Sequence, residues 1–422
     1  MKKTKLVLCG AGARGADCYA PYVRKHAKEL EFTAVAEIDE ERRRKFGRLF
    51  NIPEKFQYRS WEDLLAGPRL GEGILICTQD KMHFQPAVRA VEKGYHILIE
   101  KPISPDPEEC IKIGQLAEKS QKVVMICHVL RYTPFFIRMK ALLQEGRIGR
   151  VVSIQHNENV GYWHYAHSFV RGAWRNSYES SPMILAKSCH DMDILLFMVG
   201  ADCVRLSSFG SLMYFKKENQ PAGAAERCLE CRVEKDCPYS ALKVYLNKPS
   251  NEWPVLTITN KAHRRAVFQA LQEGPYGRCV FHCDNNVVDH QVVNMEFKNG
   301  ITAAFTMSAF THEISRTIKI MGTTGEIRGH LEKNELEIYD FNSEGIETIK
   351  AVETSGGHSG GDEGIMREFV SRIRGNGKKK LSTADDISVQ SHLMAFAAEE
   401  SRLTGKVIDV EKFTKTILHK PV

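Results

Sequence analysis

Three observations predict the fold class. The first third of the chain alternates short apolar runs with helix-like segments, a glycine-rich turn closes the first run, and the second half alternates apolar and polar residues between turn signals. Together they predict an α/β chain: a parallel-sheet domain over 1–130, then an α+β domain over 131–422 built on a large open sheet, mixed or antiparallel. A length of 422 residues suits two ordinary cores. With 43% hydrophobic and 26% charged residues, the composition excludes a disordered or fibrous chain.

The chain opens "MKKTKLVLCGAG", whose apolar run stops within a few residues. Neither a signal peptide nor a membrane anchor fits, so a cytoplasmic protein is expected. The run Leu6 to Cys9 reads as a strand and passes through Gly10, Gly12 and Gly15 into a helix-like segment. Glycines at that spacing let the backbone turn tightly and approach a pyrophosphate, whose charge then lies against the free amides of a helix start. Ala13 and Arg14 complete the turn. A second strand, "FTAVAEID", presents Glu37, an acid placed to hold ribose hydroxyls and to repel a 2′-phosphate. NAD is therefore favoured over NADP, although Arg42 and Arg43 stand close by in sequence.

The strands "GILICT" and "HILIE", with "HFQPAVRAVEKG" between them, continue the βαβ alternation. "CTQDKMH" places Thr78, Gln79 and His83 beyond one strand's carboxyl end, and "EKPIS" places Glu100 and Lys101 beyond the next. Open α/β sheets bind ligands at those ends. Farther on, "QVVNMEFKNGITAAFTMSAF", "TIKIMGTTGEIRGH" and "ELEIYDF" alternate as strands of a sheet with one buried face, turning at "KNG" and "GTTG". The tail has helical spacing.

The set "GAGARG", Glu37, "CTQDKMH" and "EKP" resembles the Gfo/Idh/MocA family of nicotinamide-dependent sugar and cyclitol oxidoreductases. The resemblance covers essentially the whole chain. It implies a Rossmann domain, a second domain whose sheet makes homodimers or homotetramers, Lys101 beside the nicotinamide and the reacting carbinol, and a cis bond before Pro102. A lysine moves protons well where burial and a neighbouring cation disfavour its charged form.

Between the halves, "HNENVGYWHYAHSFVRGAWRN" is dense in rings and forked donors, the groups that bind sugars. Tyr162, Trp163, His164, His167, Arg171, Trp174 and Arg175 are candidate substrate contacts, with Arg131 after the last strand of the first domain. In "AKSCHDMD", His190 matches a histidine of the resembled family, whose dehydrogenases carry Asp where this chain has Ala186. Lys187 stands where the family's NAD-dependent glycosidases carry a tyrosine base. On a helix, Lys187, His190 and Asp191 share one side, so Lys101, His190 and Lys187 are the catalytic candidates and Asp191 a substrate contact.

Twelve cysteines in a cytoplasmic chain point to thiols or metal ligands rather than disulfides. Cys228, Cys231 and Cys237 form C-x2-C-x5-C within an insertion at about 221–290, and Cys283 is a candidate fourth ligand, with Cys279 and His282 nearby. The set suits structural zinc or, on the same ligands, an iron–sulfur cluster. The net charge of +7 is spread too thinly for nucleic acid, and the runs Arg42 to Lys45 and Lys378 to Lys380 read as solvated surface. The leading expectation is an NAD-dependent oxidoreductase acting on a small carbohydrate. One rival is a redox-neutral eliminating glycosidase that recycles NAD; another is a nucleotide-responsive regulatory protein without turnover.

Overall fold

The computed structural model describes residues 3–249, 252–259, 261, 263–352, 357–375 and 384–418, without the side chains of 384–388; the lysine run 378–380 lies outside these residues. Six parallel strands form the first sheet: β1 (Thr4–Cys9), β2 (Leu30–Ala36), β3 (Gln57–Tyr58), β4 (Gly73–Ile76), β5 (His96–Ile99) and β6 (Val124–Ile126). Their order, β3-β2-β1-β4-β5-β6, is that of a doubly wound dinucleotide-binding fold, with the crossing point between β1 and β4. The strands are almost wholly buried because helices cover both faces, which explains their unbroken apolar runs.

The second sheet has nine strands among the described residues: β7 (Val151–Asn159), β8 (Cys203–Ser211), β9 (His290–Phe297), β10 (Thr302–Ser308), β11 (Ser315–Gly322), β12 (Gly325–His330), β13 (Glu335–Asp340), β14 (Ile346–Lys350) and β15 (Ile408–Asp409). The sheet is mixed, since β7 pairs parallel with β10 while the other pairings are antiparallel. One face is core: Val293, Met295, Ala303, Phe305, Ile318 and Ile320 pack with the helix Cys189–Val199 in a single apolar cluster. The other face alternates outward, and there Phe209 and Val292 form an exposed cross-strand pair.

The helix Gly361–Ile373, expected with the second domain, packs Ile365, Met366 and Phe369 into the core of the first. That return carries the residues just before it back to the carboxyl ends of β1 and β5, where the candidate site lies. No helix among the described residues is long and apolar enough to cross a membrane.

Candidate active site

The glycine turn is built for close approach. Gly10 has φ +89°, and a Cβ there would lie 2.4 Å from the Cys77 carbonyl oxygen; a Cβ on Gly15 would lie 2.2 Å from that of Gly10. A Cβ on Gly12 would meet nothing within 4 Å, so this residue faces open space where a phosphate group can stand. Beyond β2, Glu37 accepts the Ala11 amide at 2.7 Å and the Asp39 amide at 3.0 Å. Arg43 is spent on the loop's own backbone, donating to the Glu37 carbonyl at 2.6 Å. An acid at the end of β2 and a cradle beside Gly12 fit NAD.

Arg14 turns inward rather than toward the phosphates. It donates to Glu100 at 2.6 Å, to Asp362 at 2.8 Å and to Tyr19, whose hydroxyl also donates to Glu100. Burial opposes ionisation of Glu100 and Asp362, but Arg14 and its hydrogen bonds hold Glu100 below the ordinary carboxylate range, and His358 together with Arg14 does the same for Asp362. Thus Glu100 positions Arg14 and the glycine loop. Thr78 is half-buried and Gln79 exposed at the mouth. His83 corrects the expectation of a cofactor contact: it is 1% exposed, with ring nitrogens 2.7 Å from the Pro102 carbonyl and 3.0 Å from that of Thr78. It ties the two strand ends together.

The Lys101–Pro102 bond is cis. Lys101 Nζ donates to the Ala186 carbonyl at 2.7 Å, joining the end of β5 to the short helix Met183–Ala186. The helical run breaks at Lys187 and Ser188 before the helix Cys189–Val199, so Lys187 does not share a helix with His190 and Asp191 as expected. His190 is buried and its Nδ1 has no partner. Its ring lies 5.8 Å from that of His128 and 6.0 Å from that of His358. Burial, then the charge of Lys101, holds the imidazole neutral far below the ordinary histidine value.

Lys187 lies on the same side as Glu158 of β7, its Nζ 3.4 Å from the carboxylate. Glu158 also pairs with Arg316, its register partner on β11, yet neither oxygen has a well-directed hydrogen bond. Burial lowers the Lys187 pKa and Glu158 opposes that shift. Asp191, expected to touch substrate, is 0% exposed: it accepts from His156 at 2.8 Å and from Arg316 at 2.8 Å, so its role is to hold the arginine. Arg131 is likewise spent, in a buried forked pair with Asp193.

The aromatic stretch divides. Tyr162, Trp163 and His164 are half-buried, and His164 feels the charge of Lys187 after the effect of its own burial. The rest leave the site. His167 is 2% exposed, bonded to the Tyr245 hydroxyl at 2.8 Å and stacked on Tyr276. Arg171 is fully buried against carbonyls of Arg278 and Tyr239. Trp174 faces solvent, and Arg175 pairs with Asp284 and Glu179. The expectation of one pocket-facing set fails for these four, because rings and arginines look alike in sequence whether they meet sugar or a neighbouring loop.

Sequence reasoning missed Tyr19, His128, Glu158, Arg316, His358 and Asp362. For the last two a signal existed in "GHSGGD", where glycines flank a histidine and an acid. His358 and Ser359 adopt φ of +47° and +50°, a left-handed conformation that costs roughly 1–2 kcal/mol at each non-glycine residue. That turn brings His358 Nδ1 to 3.2 Å from Asp362 and its ring toward His190.

The cysteines gather in part. Cys228, Cys231, Cys237 and Cys279 line one small cavity, whereas Cys283, the expected fourth member, points its thiol at the Cys279 carbonyl, 3.3 Å away. Among the described residues, no three ligating side chains converge closely enough to hold a metal ion.

Known proteins agree with this architecture. Residues 4–128 match the oxidoreductase family model for an NAD-binding Rossmann fold, and 140–410 match that family's C-terminal alpha/beta domain. Bacillus subtilis (strain 168) YteT, named as an oxidoreductase, is 22% identical over 386 residues, covering 86% of this chain and 88% of its own. Inositol 2-dehydrogenase of Corynebacterium glutamicum (strain R) is 25% identical over 207 residues, 48% of this chain and 56% of that enzyme, so this match spans about half of each protein. A levoglucosan dehydrogenase solved with NADH and levoglucosan superposes with a TM-score of 0.71 at 18% identity, over 97% of this chain and 100% of the other. With both halves of the family matched in order along its length, the chain belongs to the Gfo/Idh/MocA oxidoreductases.

Proposed function

We propose that the chain is an NAD-dependent oxidoreductase acting on a ring carbon of a sugar, glycoside or cyclitol. The observation that carries the reading is the bond from Lys101, at the end of β5, to the Ala186 carbonyl, which closes the short helix just before the one that carries His190, beside a glycine turn fit for NAD. Bound NAD supplies the hydride acceptor. Lys101 and His190 share the relay of the substrate's hydroxyl proton, His190 through a buried neutral ring whose Nδ1 has no other partner. Tyr162, Trp163 and His164 offer faces to a sugar ring and orient it. The levoglucosan and inositol dehydrogenases among its relatives support this substrate class. The exposed face around Phe209 and Val292 meets a second copy, giving the dimer or tetramer.

A second reading rests on Ala186 and Lys187. No carboxylate stands where the family's dehydrogenases place one, and a buried lysine beside Glu158 is available as a base. In this cycle Lys187 removes the proton on the carbon next to the oxidised one, a substituent leaves, water adds, and the carbonyl is reduced again by return of the hydride, so that NAD ends unchanged.

One experiment separates the two. The protein is incubated with NAD and a panel of sugars, cyclitols and glycosides in D2O, following absorbance of NADH and product mass. NADH with a keto product and no released substituent supports the dehydrogenase. Release of a substituent, deuterium on carbon and no net NADH selects the second reading. NAD binding with neither outcome across the panel would overturn both in favour of a regulatory protein.

A further inference from the structure

The insertion between β8 and β9 has little to hold it together. Among its described residues it is made of single turns and two short helices, with a small apolar cluster around Ala241, Val244, Tyr245, Val255, Val267 and Leu271. Its two cysteine-bearing segments nevertheless meet. Arg227 and Arg278 form an isolated antiparallel bridge, and the Cys279 amide donates to the Glu226 carbonyl at 2.8 Å, which sets Cys228 and Cys279 side by side. The turn through Cys231 and Cys237 closes over them, and the four thiols line one cavity of about 20 Å³.

Arg171 lines the same cavity. It is 1% exposed, its Nη1 has no hydrogen-bond partner, and its Nη2 lies 3.5 Å from the Cys228 sulfur. Arginine stays charged in proteins, and a buried charge without a counter-ion is destabilising. The partners found for this guanidinium are carbonyl oxygens and a thiol, none of them an anion. Glu234, among the described residues the one carboxylate on the cavity wall, is bonded to the Ser240 hydroxyl, so no anion among them is paired with Arg171.

We propose that Cys228, Cys231, Cys237 and Cys279 bind one zinc ion, with Arg171 as the neutralising neighbour. Four thiols bind the dication and release four protons, leaving a tetrathiolate complex of charge −2 against which Arg171 supplies +1. The four cysteines stand around one wall without converging, so binding draws their sulfurs together from the positions seen here. The volume suits a single ion, not a cluster of irons and sulfides. The site is structural: Arg171 ends the helical turn Ala166–Arg171, which follows directly on Tyr162, Trp163 and His164, so the ion braces the aromatic wall of the candidate pocket.

The test is metal content, which does not depend on turnover. Protein purified under reducing conditions without chelator is expected to carry one zinc per chain by elemental analysis. After exchange it should show the thiolate-to-cobalt charge-transfer absorption of a tetrahedral cobalt(II) site. Cys237→Ser and Cys279→Ser should each fall below about a tenth of an equivalent and melt at lower temperature, while Cys283→Ser keeps its metal. Wild-type protein that stays folded yet takes up neither zinc nor cobalt overturns the proposal. So does iron with acid-labile sulfide, or loss of metal in Cys283→Ser but not in Cys279→Ser. Should the cysteine variants fail to fold, the wild-type metal content and cobalt spectrum decide alone.

Discussion

The two walls of the candidate cleft are finished to different degrees. On the cofactor side, Arg14, Glu100, Tyr19 and Asp362 satisfy one another at 2.5–2.8 Å, and Glu37 is held by two amides. On the substrate side, Lys101 has a single carbonyl, His190 keeps an unpartnered nitrogen, and the carboxylate of Glu158 sits between two cations without a well-directed hydrogen bond. A wall whose polar groups are paired is rigid before anything binds. A wall with free valences awaits a ligand to complete it. On the proposed reading, NAD binds against the first wall and the substrate reacts at the second.

The sharpest way to break that division is at its free valences. Lys101→Met and His190→Ala are each expected to lower turnover roughly 10²- to 10⁴-fold, the usual worth of a positioned proton-transfer group, with NAD affinity by fluorescence titration unchanged. Turnover near wild type in either variant removes that residue from its role, and a parallel loss of NAD affinity erases the distinction between the walls.

The next effect belongs to the finished wall. Asp362→Asn removes one charged partner from Arg14 but leaves Glu100 in place. NAD affinity should weaken by about tenfold, equal to about 1.4 kcal/mol, while kcat at saturating NAD stays within about twofold. A change in kcat alone would move Asp362 across to the catalytic side, acting through His358.

What could be read from the sequence follows the same line. The glycine spacing, Glu37 and Lys101 are legible because strand ends and tight turns leave local marks: φ +89° at Gly10 demands a glycine, whatever surrounds it. Asp191 could not be told from a substrate contact, since only the packing of its helix on β7 and β11 brings His156 and Arg316 to it. Glu158 carries no local mark at all. Arg171 was legible as a forked donor but not in its direction, which depends on an insertion returning a hundred residues later.

A third and smaller effect is on stability. Burial holds His128 and His190 neutral, well below their ordinary value of 6.5. The unfolded chain therefore takes up protons first as pH falls, so this contribution is complete above pH 6.5 and declines below it, each group adding at most about 1.4 kcal/mol per pH unit. The melting temperature should drop from pH 7 to pH 5, and drop less in His128→Asn. Asp193, whose carboxyl burial raises, acts in the opposite sense, and the difference between wild type and His128→Asn isolates the histidine.

The smallest expected effect tests the edge of the substrate wall. Trp174 is 38% exposed with its ring 6.3 Å from that of Phe169, and the Arg175 guanidinium beside it is taken up by Asp284 on the insertion. Trp174→Ala should leave kcat and KM within about twofold of wild type, as surface substitutions usually leave stability. Tyr162→Ala should raise KM several-fold, because removing a ring face forfeits about 1 kcal/mol of contact with substrate. If both variants raise KM alike, the insertion closes over bound substrate, and the wall reaches beyond His164 to the loop that the cysteines hold.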